Sequence, residues 1–214
     1  MHKETSHPPH HCDAALGCGA ELAKPGLLNK HILWLVVALN FVMFLVEVVT
    51  GLMAGSIALL ADALDFMSDT ASYTIALYVL NKPLKWRAGA ALLKGAMMLL
   101  FGLWVLYMAI MAMLGLHQPE PLAMGLVGML AFAVNAVSAY LVFRFSKGDS
   151  NLRSVWICSR NDAFANLAVI VAASGVFALN TGWPDIIVAL IISGLALWGA
   201  FQIITHALVE IKTL

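Results

Sequence analysis

The sequence predicts an all-α membrane protein, a bundle of six transmembrane helices, and three observations lead there. The first is composition: of 214 residues 62% are hydrophobic and 11% charged, with a mean hydropathy of +0.89, whereas soluble domains are about 45–50% apolar and about 25% charged. Such a chain cannot cover a globule of its size with polar surface. The second is spacing, because apolar stretches of spanning length alternate with short polar breakers along the chain after position 30. The third is the placement of lysine and arginine, which gather at alternate connections. A spanning helix takes about 20 apolar residues, so six of them consume most of the chain. This argues against a soluble enzyme, a nucleic-acid binder or a secreted disulfide scaffold.

Each element follows from its punctuation. The first stretch runs over 31–50 and ends at a Gly51–Gly55 turn; the second covers 56–80 and stops at Asn81-Lys82-Pro83. The third, 88–116, meets His117-Gln118-Pro119-Glu120-Pro121, and the fourth covers 122–145. After the polar run Ser146–Arg153 comes the fifth, 154–179, and after Asn180-Thr181-Gly182-Trp183-Pro184 the sixth, 185–206. Each can cross a hydrocarbon core of about 30 Å at about 1.5 Å per residue. Helices are required because open strand edges cannot be satisfied in lipid.

Residues 1–30 differ in kind, with His2, His7, His10, His11, Cys12 and Cys18 among Pro8-Pro9 and Pro25-Gly26. No basic segment leads into an apolar one, so they read as a flexible polar tail and not as a signal peptide. The expected organisation is the tail at 1–30, a transmembrane domain at 31–210 and a short end at 211–214.

Lys3, Lys24 and Lys30 lie in the tail, Lys82, Lys85, Arg87 and Lys94 around the second-to-third connection, Arg144, Lys147 and Arg153 around the fourth-to-fifth, and Lys212 at the end. The other connections carry none. By the positive-inside rule both termini are cytoplasmic, in a plasma or inner membrane. In that reducing compartment Cys12, Cys18 and Cys158 are expected as thiols or metal ligands.

The remaining charges fall where charge is costly. Asp62, Asp65 and Asp69 occur in the second stretch at spacings that place them on one helical face. Cys158, Asp162 and Asn166 share a face of the fifth. The second helix descends from outside, putting Asp65 about 14 Å and Asp69 about 20 Å below the outer boundary; the fifth ascends, putting Cys158 about 6–9 Å and Asp162 about 12–15 Å above the inner one. Those levels nearly coincide, Asp65 with Asp162 and Asp69 with Cys158. Three carboxylates and a thiolate at one point suit a tetrahedral divalent ion such as Zn²⁺. The alternative is pairing with bases at depth, for which Arg160 and Lys94 are available.

The run Gly55-Ser56-x-Ala58-Leu59-Leu60-Ala61-Asp62-Ala63, followed by two acidic residues four apart, resembles the second helix of the cation diffusion facilitators. Asn40 and Glu47 before it, and Trp183-Pro184-Asp185 later, are similar to the same pattern, over about 31–210. The resemblance implies export of divalent metal, Zn²⁺, Co²⁺ or Cd²⁺, in exchange for protons, through a site on helices two and five. Its ligand pairs fall on Asp65 with Asp69 and on Cys158 with Asp162. Cys158 stands where the family more often has His, and a register one turn later would use Asp162 and Asn166. The family usually continues into a cytoplasmic ferredoxin-like domain, whereas this sequence stops at Leu214. A homodimer would then form through membrane helices, and rows such as Gly125, Gly128 and Ala131, or Ser193, Gly194 and Gly199, are either close-packing faces for it or contacts within one chain.

His7, His10, His11 and Cys12 form a compositional metal-binding signal, read equally as a solvated leader. Glu47 and Asp62 are weaker candidates that line an outward path or hydrogen-bond structurally. Asn135, Ser138 and Tyr140 read as interhelical hydrogen bonds. The expected function is a secondary transporter with no resident cofactor and no enzymatic or nucleic-acid-binding role; the alternative is a membrane metal sensor or scaffold that binds without transporting.

Overall fold

The computed structural model describes residues 30–78, 83–115, 118–145 and 152–212. Among them are six helices: α1 Lys30–Ala54, α2 Ile57–Tyr78, α3 Leu84–Leu114, α4 Pro121–Phe145, α5 Leu152–Leu179 and α6 Trp183–Lys212. Four of these, α1, α3, α4 and α6, contain segments that are by themselves long and apolar enough to cross a membrane. Helix α2 departs from that pattern because Asp62, Asp65 and Asp69 all fall within its 22 residues.

The first connection is tighter than the expected Gly51–Gly55 turn. Helix α1 continues to Ala54, and the reversal is made by Gly55 at φ 67°, a left-handed conformation that glycine adopts without a Cβ clash. The Ser56 N–H donates to Gly51 O at 2.9 Å, and Ser56 Oγ accepts from the Leu59 N–H at 3.1 Å, capping α2. Helix α6 overruns the expected end at 206 and reaches Lys212, since neither glycine nor proline stands between. Pro83 stands immediately before α3, where its missing N–H costs nothing.

Helix α2 is central and touches all five others. It packs most closely on α1, then α6 and α3, and only lightly on α5 and α4. Around it α3 pairs extensively with α6, α4 with α5, and α1 with α4. From Ser56 to Leu64 every residue of the α2 entrance is buried, and Ala58, Leu59 and Ala61 join Val105, Val169 and Ala189 from three other helices in the main core. Large apolar side chains point outward, for example Phe177 at 80% and Leu100 at 70% exposure. That is the pattern of a bundle solvated by lipid.

Glycine sets the closest helix approach. A Cβ on Gly95 would meet Ile204 at 2.7 Å, and one on Gly102 would meet Leu197 at 2.9 Å. Gly95→Val should therefore force α3 from α6 and cost about 1–3 kcal/mol, read as a lower melting temperature of the detergent-solubilised protein. Of the two small-residue rows, the first lies within the chain: a Cβ on Gly128 would meet Ile170 of α5 at 3.1 Å, and Ala131 is fully buried. In the second, Ser193 is buried and donates to Ala189 O at 2.6 Å, while a Cβ on Gly194 or Gly199 would meet nothing.

The helix-four polar residues divide. Asn40 Nδ2 donates to Ser138 Oγ at 3.4 Å and to Val36 O at 2.8 Å, joining α1 to α4. Asn135 is buried with Nδ2 unpartnered and Tyr140 is 61% exposed, and among the described residues neither shows the interhelical bond expected of it.

Candidate metal centre

The α2 face places its three carboxylates at successive levels. Asp65 lies beside Asp162 of α5, the two carboxyls within contact. Both line a cavity of about 550 Å³ with Ser68 of α2, Met98 of α3, and Ile192 and Leu195 of α6. Asp69, one turn away, is within electrostatic reach of Asp65 and Asp162. The helical spacing of α2 and the light packing of α2 on α5 together leave this space. A tightly packed pair would have squeezed it out.

The arrangement differs from a closed ligand set. Among the described residues no three His, Cys, Asp or Glu side chains converge to metal-binding geometry. A base also lies within electrostatic reach of this acidic face. That base is Lys94 of α3, 3% exposed, within electrostatic reach of Asp69 and Asp65, whose Nζ donates to Ser72 Oγ. Tyr73, also buried, lies near Asp69, Asp162 and Asp65.

The remaining candidates fall elsewhere. Asp62 does not line the cavity; it belongs to a second acidic pair with Glu47 of α1. Both residues are fully buried, and although the carboxyls adjoin, all four oxygens lack a partner of hydrogen-bond geometry. Asn166 is fully buried one turn beyond Asp162, its Nδ2 donating to Asp162 O at 2.8 Å and its Oδ1 unpartnered. His7, His10, His11 and Cys12 lie outside the described residues, as do the side chains of Cys158 and Arg160.

One feature was expected only as an alternative pairing base at depth, and a second was not anticipated from residue types. Lys94, grouped by sequence with the basic residues of a connection, sits ten positions inside an apolar helix, a depth at which lysine is rare; that offset was the available signal. Asp185 caps the neighbouring helix α2. Its Oδ1 accepts from Ser56 Oγ at 2.7 Å and the Ala58 N–H at 3.1 Å, and its Oδ2 from the Ile57 N–H at 2.9 Å. A carboxylate at this end of α2 satisfies N–H groups that the helix leaves open and complements its dipole. It also pins α2, which bears the acidic face, to the start of α6.

Among the described residues, a helical bundle with long apolar spans and carboxyls of its second and fifth helices brought to one cavity defines a class, that of polytopic helical membrane proteins. The profile of the cation efflux transmembrane domain matches residues 33–211, and the chain belongs to this family of integral membrane proteins, the cation diffusion facilitators. It is 24% identical over 193 residues to the "Cadmium, cobalt and zinc/H(+)-K(+) antiporter" of Bacillus subtilis, covering 82% of this chain and 61% of that one. Over 189 residues it is 24% identical to the "Metal cation efflux system protein CzcD" of Cupriavidus metallidurans, covering 83% and 60%. The "Zinc transporter ZitB" of Escherichia coli is 27% identical over 185 residues, covering 78% and 58%. The chain thus spans about 60% of the length of these relatives.

Proposed function

We propose that this protein exports divalent metal cations of the Zn²⁺, Co²⁺ and Cd²⁺ class from the cytoplasm in exchange for protons. The observation that carries the reading is the meeting of Asp65 and Asp162, from two lightly packed helices, in a cavity bounded by two more. Carboxylates seldom occur together at this depth unless an ion or proton passes. In this reading Asp65, Asp69, Cys158 and Asp162 hold the metal, with Asn166 the weaker alternative to Cys158. The printed activities of the relatives, cadmium, cobalt and zinc antiport and zinc transport, agree with that substrate class.

The exchange follows from ligand chemistry. A carboxylate or thiolate must be deprotonated to hold a divalent ion, so loading metal expels protons and loading protons expels metal. With both termini cytoplasmic, metal enters from the cytoplasm, the tail's His7, His10, His11 and Cys12 concentrate it, and protons from outside displace it. Metal affinity should fall on acidification by about tenfold per pH unit for each proton displaced, measured by calorimetry on the purified protein. Affinity independent of pH would remove the coupling.

The direct test is Zn²⁺ flux into liposomes carrying the purified protein under an imposed pH gradient. Gradient-driven uptake is expected. Binding without flux would instead identify a metal sensor or scaffold.

A further inference from the structure

Among the described residues, Lys94 is a feature of the cavity region that ligand chemistry does not call for. An ammonium taken out of water into an apolar bundle is costly unless it is compensated, and a lysine that only joined two helices would be served as well by a neutral donor. Its surroundings are specific. Lys94 is 3% exposed, its Nζ donates to Ser72 Oγ, and Asp69 and Asp65 act on its charge through space. Among the described residues, Asp162 and Tyr73 are further titratable groups nearby. Ser72 follows Asp69 by three positions on α2, on the same face and about 4.5 Å along the axis. A four-carbon stem with three donors can serve either neighbour.

We propose that Lys94 is a tethered cation that sets the affinity of the acidic cavity: seated on Ser72, its charge offsets part of that on Asp65 and Asp69, and an arriving divalent ion must compete with it. The consequence for a carrier is release. Three carboxylates and a thiolate around one divalent ion would hold it too long, and a fixed positive charge beside them raises the energy of the loaded state without occupying a ligand position. Ser72 keeps the ammonium one turn from the ligands. Without that seat, the ammonium moves onto Asp69.

This inference rests on the metal-site reading above, and the experiment separates the two. Zn²⁺ binding is measured by calorimetry on the full-length protein in detergent, for wild type, Lys94→Met, Lys94→Arg, Ser72→Ala and Asp65→Asn. Lys94→Met should bind Zn²⁺ at least about tenfold more tightly and carry it more slowly at saturation. Lys94→Arg, which keeps the charge, should stay near wild type. Ser72→Ala should bind more weakly, the opposite sign, which a lysine acting only as a structural strut would not produce. If Lys94→Met does not fold, Ser72→Ala decides: weaker binding supports the tether and unchanged or tighter binding overturns it. Unchanged or weaker binding in a folded Lys94→Met also overturns it. Asp65→Asn is the reference: if it leaves binding intact, the metal-site reading fails, whereas if it abolishes binding and Lys94→Met does not tighten it, the tether alone fails.

Discussion

Replacing Asp65 with asparagine is expected to reduce metal flux in liposomes to background, a loss of more than about 100-fold. Asparagine keeps the shape of the side chain and one acceptor oxygen, so the cavity and the packing of α2 survive. What disappears is the negative charge that adjoins Asp162 at the cavity wall. Partners that merely orient metal ligands cost 10–100-fold when changed, about the lower bound for a group that binds directly. Asp162→Asn should match it, because the two carboxyls adjoin and act as a unit. Variant and wild-type fluxes that matched would exclude Asp65 from the transport path. Equal melting temperatures would show that the loss is chemical and not a failure to fold.

Asp185→Ala is expected to be the most destabilising single change, by about 3–5 kcal/mol, through removal of one partner from a buried charged network. Its carboxylate is fully buried and accepts from Ser56 Oγ and the Ile57 and Ala58 N–H groups, buried donors that truncation leaves without this acceptor. Each hydrogen bond to a charged group contributes about 1.5–3 kcal/mol, and these are not additive. The melting temperature in detergent should fall by roughly 10 °C. Asp185→Asn, which keeps an acceptor, should recover part of it. Transport should suffer in parallel, since the same carboxylate holds α2 to α6. A wild-type melting temperature for Asp185→Ala would mean that the cap does not bear on the stability of the fold.

Much of this architecture was readable in one dimension. Hydropathy and breakers located the six helices of the described residues because lipid leaves a backbone few options. The helix ends were less legible. Gly51 looked like a turn but lies inside α1, where an added Cβ would meet Leu60 at 3.0 Å; glycine is there for close packing and not for reversal. Sequence alone could not distinguish those uses.

The candidate site divides the same way. Spacing alone determined that Asp62, Asp65 and Asp69 share a face, and the rise per residue led to the expectation that Asp65 and Asp162 stand at one level, because both are properties of a helix and not of its neighbours. Which neighbours those carboxylates face is set by rotation and packing, and no periodicity carries that information. The tertiary structure alone decided that Asp62 turns to Glu47, that Lys94 lies beside Asp69 and Asp65, and that Asp185 caps a helix more than a hundred residues away. Charge scarcity in the sequence marks which groups matter in a bilayer; the three-dimensional packing determines which of them meet, since buried charges are stabilised by partners that only the fold brings near.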